Sequence, residues 1–534
     1  MAFLFQKYSK QLAQISGGII VFCLALLPWM RWAKFPIQGP FEVFSAAFAT
    51  GLVVVLSTLM IHSFRRWRDG LDVTSKILTV LIMIVCAAVW LRIFPGAISP
   101  DDLNILTSLE VGRPSYWHSF MYSYLLQSCI FLTNRGLMVS LVNYILFCAV
   151  AVSTFQLFQK RRLEILKIIP CILLLNAAAI SLVFFENRDS VFSLVVILIS
   201  LELLLVQSRF EKPDLKTIGM FSILAVFVSN IRGEFVFFVV AWPVLIWLAS
   251  GFNLGVLIKS IITTMLMYTL MVILPAPYFP TTATQTDMYE STLFINPLTW
   301  IVQKKGLGEL SPEETTQMSR FMNVTDLKDF GNPNMIAAYN RDGRADLASH
   351  EDYLAFRSAA LKVISRNSRE WIGNRIYIGL VMMNLLGETY FLSDHLAGAD
   401  MTPAILPHYF LQPRDQEVIS NPEHWWIKQW IMLSFVKSQS DWRLVFGALL
   451  PLFGFLFWMW PSKRNLLRIE FWLASLMVLR LIALIALAPA PYFKYISSQW
   501  LLGWIFLFLG CYESSVTARR FRDLRKKELR PDQV

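Results

Sequence analysis

Apolar residues along this chain gather into long runs separated by short cationic loops, instead of alternating as they would in half-buried strands. The runs lie near 14–31, 41–62, 76–95, 136–157, 168–186, 190–208, 215–231, 235–252, 256–275, 443–461, 469–488 and 497–516. A helix needs about 20 apolar residues to cross the hydrocarbon core of a bilayer, and runs near that length recur towards both ends of the sequence. The pattern predicts an all-α polytopic membrane protein with about twelve transmembrane helices. The first run, near Gly17 to Met30, has the look of a signal peptide. It lacks a small-x-small cleavage site and is followed by more spans, so it is expected to be retained.

Lys and Arg in short loops stay cytoplasmic, and this sets the orientation. Lys7 and Lys10, Arg65 to Lys76, Lys160 to Lys167, Arg209 to Lys216, Lys463 to Arg468 and the tail from Arg519 to Arg530 mark inner segments, which places both termini inside. The stretch from Trp117 to Leu132 tempts a further span. Counting it would move Lys160, Arg161 and Arg162 outside, and His118, Ser119, Ser123, Gln127 and Ser128 interrupt it. It is expected to be a juxtamembrane or re-entrant helix on the outer face.

Residues 277–442 differ in kind. They mix polar and apolar positions, with turn signals at Asn332-Pro333-Asn334 and Asp342-Gly343 and helical periodicity near 351–380. Roughly 165 residues suffice for an independent core. Ser311-Pro312-Glu313-Glu314 reads as an N-cap, a proline at the first helical position and acids in the first turn. The predicted organisation is an N-terminal transmembrane module (1–276) with a first large outer loop (96–135), a mainly helical outer, periplasmic region (277–442), C-terminal transmembrane helices (443–516) and a basic cytoplasmic tail (517–534).

Composition agrees. The 534 residues are 56% hydrophobic and only 16% charged, beyond what a soluble domain hides. The net charge of +11 sits in loops between spans, a mark of membrane topology, and no nucleic-acid motif accompanies it. Cys23, Cys86, Cys129, Cys148, Cys171 and Cys511 all lie in apolar segments without CxxC spacing, and read as packing residues.

On this topology the outer ends of several spans collect polar groups at one level. They are Asp101, Asp102, Arg113 and His118 in the first outer loop; Glu186, Asn187, Arg188 and Asp189 between the fifth and sixth spans; Asn230, Arg232 and Glu234 between the seventh and eighth; and Lys494 and Tyr495 between the last two. Carboxylates and cations meeting beneath a large outer region suit a polar phosphorylated substrate whose apolar tail stays in lipid. Two charges fall inside spans, Glu202 and Arg480, where unpaired charge is expensive. Counting about 1.5 Å per residue puts them roughly 6 Å apart in depth, so a mutual ion pair is expected, with a proton or headgroup role as the second reading.

These segments resemble the integral-membrane glycosyltransferases of the GT-C fold, especially the bacterial multi-pass members. The resemblance runs from Phe94-Pro95-Gly96 to Asp101-Asp102, similar to the first outer loop with its acidic motif, and into Trp117-His118, where relatives open a juxtamembrane helix. It continues through Asn187-Arg188-Asp189, Arg232-Gly233-Glu234, Phe294 to Glu314, Tyr339-Asn340 and Pro491-Tyr492-Phe493-Lys494-Tyr495, where Lys stands in place of Arg. Ser119 replaces the expected proline, and two more spans precede the acidic loop than in many relatives.

The resemblance implies transfer of a sugar from a polyprenyl-phosphate-linked donor to a glycan or lipid acceptor of the cell envelope, such as O-antigen, at the outer face of a bacterial inner membrane. The acceptor hydroxyl then needs a base, and Asp101 is the candidate, with Asp102 assisting or helping to hold a divalent cation (Mg2+ or Mn2+). Arg232, Lys494 and Arg188 are the expected donor-phosphate contacts, and His118, Asp189, Glu234 and Tyr495 the substrate-positioning residues. Membrane lipids complete the expected partners. A flippase for lipid-linked saccharides is an alternative, although no repeated halves are visible. An O-antigen-type polymerase is another, for which arginine-rich outer loops would be expected instead of an aspartate pair.

Overall fold

The computed structural model describes residues 20–31, 39–93, 120–133, 138–161, 167–209, 213–278, 283–331, 343–383, 447–460, 468–488 and 495–528, with a few isolated positions between them. The described residues are almost wholly helical. Six helices are long and apolar enough to cross a membrane, and five shorter apolar helices accompany them.

The N-terminal part contains α1 (Ile20–Arg31), α2 (Pro40–Gly70), α3 (Val73–Ile93), α4 (Phe120–Thr133), α5 (Val139–Lys160), α6 (Ile168–Leu174), α7 (Ala177–Phe184), α8 (Arg188–Arg209), α9 (Leu215–Ile231), α10 (Phe238–Ala249) and α11 (Leu254–Tyr268). Proline in the first turn and Glu42 accepting from the Gly39 N–H start α2. At 31 residues α2 is about 46 Å long, so its last turns, with Arg65, Arg66 and Arg68, reach past a hydrocarbon core of about 30 Å. The run near 168–186, expected as one span, is two short helices broken at Leu175 and Asn176. A polar residue mid-run offers the backbone a competing partner and breaks the ladder there.

Helix α4, in the segment expected at the outer face, has 14 residues, about 21 Å, and is buried along most of its length. Tyr124 stacks on Phe41 at 5.3 Å between ring centroids, and α4 packs chiefly against α2. A two-residue parallel pair, β1 (Ala97–Ile98) with β2 (Phe185–Glu186), joins the segment after α3 to the start of α8.

A second body carries its own core. It holds α12 (Ala283–Lys305), α13 (Pro312–Ser319) and α14 (His350–Arg366), packed around Leu298, Phe321, Tyr353 and Phe356, and it continues into α15 (Ser368–Met382), whose Ile378 and Met382 join the core of the bundle. Ser311 and Glu314 form the reciprocal cap that starts α13, and the periodic stretch near 351–380 is two helices divided at Asn367. Helices α12 and α14 run parallel, because Asp287 meets His350 and Lys305 meets Asn367.

The chain ends in α16 (Leu449–Met459), α17 (Ile469–Leu487) and α18 (Ser497–Glu528). A Cβ on Gly454 would lie 2.3 Å from the Gly503 carbonyl oxygen, so these glycines permit the close approach of α16 and α18. All six cysteines are free thiols.

Candidate functional site

Consecutive spans alternate in direction, and their charged ends sort into two groups. At one end, called the site end here, α8 starts, α9 stops, α17 stops and α18 starts. Asn187 Oδ1 accepts from the Ser190 N–H at 2.8 Å, an N-cap that fixes the first turn of α8 and holds Asp189 inward. Helix α9 stops at Arg232, whose extended backbone leads into a single 3-10 turn, Gly233–Phe235. That turn folds Glu234 back towards the bundle.

The result is a buried network. Arg232 Nη2 lies 2.8 Å from Asp189 Oδ1, and its Nε lies 3.2 Å from Glu234 Oε1. The same guanidinium sits over the Tyr495 ring, 4.5 Å from its centroid. Arg480 Nη2 reaches Glu234 at 3.5 Å, while its Nη1 donates to Gln499 Oε1 at 2.5 Å and Ser498 Oγ at 3.2 Å. Arg480 also lies over Phe192, 4.4 Å from the centroid. Ser193 and Ser497 share a hydrogen bond of 2.8 Å that ties α8 to α18 just below. Two cations face two carboxylates, so the network is close to neutral. Arg188, half-buried, adds its charge near Glu234.

Four residues named from the sequence, Asp189, Arg232, Glu234 and Tyr495, are therefore brought together, with Arg188 beside them. Asp101, Asp102, His118 and Lys494 lie outside the described residues, as do Arg113 and Trp117. The backbone pairing of Ile98 with Glu186 still places the chain three residues before Asp101 against the chain three residues before Asp189. Among the described residues no three His, Cys, Asp or Glu side chains converge as a metal would require.

The expected Glu202–Arg480 pair does not form. Glu202 pairs with Arg66 from the last turns of α2, accepts from Ser153 at 2.9 Å, and has His62 3.9 Å away. Arg480 stacks on Phe192, and Glu202 lies ten residues further along α8, about 15 Å away in rise. Depth counted from idealised span ends misplaced the two because the 3-10 turn and the start of α18 supply nearer partners for Arg480.

A cavity of ≈ 390 Å³ opens between α2, α4, α5, α8, α9 and the stretch after α11, lined almost wholly by apolar groups including Phe44, Phe48, Val191, Phe227 and Met271. Val191 is two residues from Asp189 and Phe227 five from Arg232, so the cavity begins within about two helical turns of the charges.

One buried charge had no signal in the sequence. Arg375 on α15 is 5% exposed, and its Nη1 donates to the Ala488 carbonyl oxygen at 3.0 Å, at the end of α17. Its Nε and Nη2 have no hydrogen-bond partner, and no carboxylate pairs with it among the described residues. Burial alone pulls this guanidinium down to about 10. Elsewhere in the second body Arg366 is matched, and its hydrogen bonds hold the Glu314 carboxyl below its usual range against the opposing effect of burial. No family model, curated protein or solved structure matches this chain.

Proposed function

We propose that this chain is a membrane glycosyltransferase of GT-C type, taking a sugar from a polyprenyl-phosphate-linked donor and giving it to a cell-envelope glycan or lipid acceptor. The observation that carries the reading is a buried ionic network at one end of the bundle together with an apolar cavity that begins within about two helical turns of it along α8 and α9. An amphiphile with a phosphate at its head and a hydrocarbon chain behind it matches that order of polar and apolar walls. A soluble sugar nucleotide has no use for the cavity, and a lipid without a charged head has no use for the network.

In the reaction, an acceptor oxygen attacks the anomeric carbon, the carbon–oxygen bond to the phosphate breaks, and the electron pair leaves with the polyprenyl phosphate. The acceptor proton must go to a base, the role proposed for Asp101, three residues beyond the strand pair that docks on the start of α8. A catalytic divalent cation, where one takes part, belongs at Asp101 and Asp102. Arg232 is held by Asp189, Glu234 and Tyr495, an arrangement suited to presenting a fixed, desolvated positive edge to the leaving phosphate. Lys494, one residue before Tyr495, is the second proposed contact.

This reading takes the site end as the outer face of a bacterial inner membrane, with about twelve crossings, residues 277–442 outside and both termini inside. Single-cysteine labelling with an impermeant reagent, on a background lacking the six native cysteines, tests the orientation. Ser311→Cys should label from outside and Asp69→Cys only after permeabilisation; the reverse pattern overturns it. The activity is tested by mass spectrometry of envelope glycans from matched strains with and without the chain. Loss of one sugar unit is expected, and identical glycan profiles would refute the proposal.

A further inference from the structure

Two arginines bracket the short connection between α17 and α18, and they are in opposite states. Arg232 contacts Tyr495 at the start of α18 and is matched by two carboxylates. Arg375 contacts Ala488 at the end of α17 and is matched by none. Six residues lie between Ala488 and Tyr495, spanning no more than about 25 Å of extended chain, so both contacts fall at the same end of the bundle.

The unused atoms of Arg375 define what is missing. With Nη1 given to a carbonyl, the free pair is Nε and Nη2, the edge of a guanidinium that presents two parallel N–H bonds. That fork fits two oxygens of one phosphate or carboxylate, and it is buried, where an unmatched charge is costly. Helix α15 sets the depth. Ile378 and Met382, one and two turns beyond Arg375, join the apolar core of the bundle, and Gly379 allows Ile485 of α17 to approach closely. Arg375 thus sits about 4–5 Å along the helix from the first residue embedded in that core, beside the end of α17. Arg375 therefore differs from an ordinary helix cap, which would need only the Ala488 contact.

We infer that the Nε–Nη2 edge of Arg375 is a phosphate-binding site in the seam between α15 and the end of α17, and that its ligand is the phosphate of the polyprenyl carrier. The inference rests on the proposed lipid-linked substrate for the choice of ligand, but the test does not depend on sugar transfer. The carrier phosphate would bridge the second body to the bundle beside the Arg375–Ala488 contact.

The test uses the full chain in nanodiscs and sugar-free polyprenyl monophosphate as probe, with inorganic phosphate in a parallel arm. Wild type should bind the lipid and gain thermal stability. Arg375→Met should lose at least tenfold in affinity, and Arg375→Lys, which keeps the charge but not the two-pronged edge, should lose several-fold while remaining folded by size exclusion. Equal protection of wild type by inorganic phosphate, lost in Arg375→Lys, would keep the phosphate site and assign it to a free anion. Binding of both probes by both variants within twofold of wild type would overturn the inference. A chain that binds polyprenyl phosphate through Arg375 yet transfers no sugar would refute the proposed activity and leave this site standing.

Discussion

The two ends of the bundle use buried charge differently. At the end away from the site, four carboxylates face four cations: Glu202 with Arg66, Asp72 with Lys167 at 2.6 Å, Glu470 with Arg161 at 2.6 Å and Arg468 at 3.1 Å, and Glu513 with Arg468. These pairs tie separate helices together, among them α2 to α8, α5 to α17 and α17 to α18. At the site end, Asp189 and Glu234 are consumed by Arg232 and Arg480, and Arg375 remains unmatched among the described residues. A closed set of pairs specifies how helices pack. A surplus of buried positive charge costs stability and is retained where an anion offsets it. This contrast is the basis for proposing that one end of the bundle serves packing and the other binds an anionic substrate.

Removing one partner from the closed end should have the largest effect. Glu470 is fully buried, and Glu470→Ala strands Arg161 and leaves Arg468 only Glu513, with an expected loss of about 3 kcal/mol in thermal or denaturant unfolding. Phosphate binding by the fraction that remains folded should be unchanged, which separates this end from the other. Glu234→Gln should cost less, about 2 kcal/mol, because Arg232 keeps Asp189 and Arg480 keeps Gln499 and Ser498. Arg480→Met combined with Glu234→Gln should cost less than the sum of the two, and strict additivity would break the idea of one network.

Acid should act next, on the second body. Ser349 hydrogen bonds lower Asp352, and Arg366 lowers Glu314 against burial, so both carboxyls titrate below their unfolded values. Their stabilisation is complete above the unfolded values, near 4–4.5, and is lost as pH falls through the folded ones. Hydrogen-exchange protection in α13 and α14, corrected for the intrinsic pH dependence of amide exchange, should therefore fall below about pH 4 and stay flat from pH 5 to 8. The smallest effect belongs to Arg68→Ala, whose pair with Asp69 is exposed; the unfolding temperature should not move measurably.

Much of this was legible because membrane topology is a strong constraint. Asp189, Arg232, Glu234 and Tyr495 each stand at a span end on one predicted side, and alternating helices have to bring such ends to one level. Glu202 and Arg480 were singled out as buried charges, and both are buried, yet their partners were misassigned. Hydropathy gives depth along an ideal helix, while the partner depends on which helix is adjacent and on turns such as Gly233–Phe235. The break at Leu175 and Asn176 was missed because the surrounding run is apolar enough to read as one helix. Arg375 gave no signal, since an arginine in a mixed polar and apolar helix is ordinary until docking of α15 on α17 buries it.

The most direct test follows the donor itself. Proteoliposomes containing the purified chain would be supplied with envelope acceptor and an extract of polyprenyl-phosphate sugars, and the lipids analysed by mass spectrometry. Wild type should convert one donor to bare polyprenyl phosphate with matching gain of a sugar on the acceptor, and Asp101→Asn should slow this by about 10²–10⁴-fold. Donors that cross between leaflets with their sugars intact, and an acceptor that gains nothing, would contradict the account and identify a flippase instead.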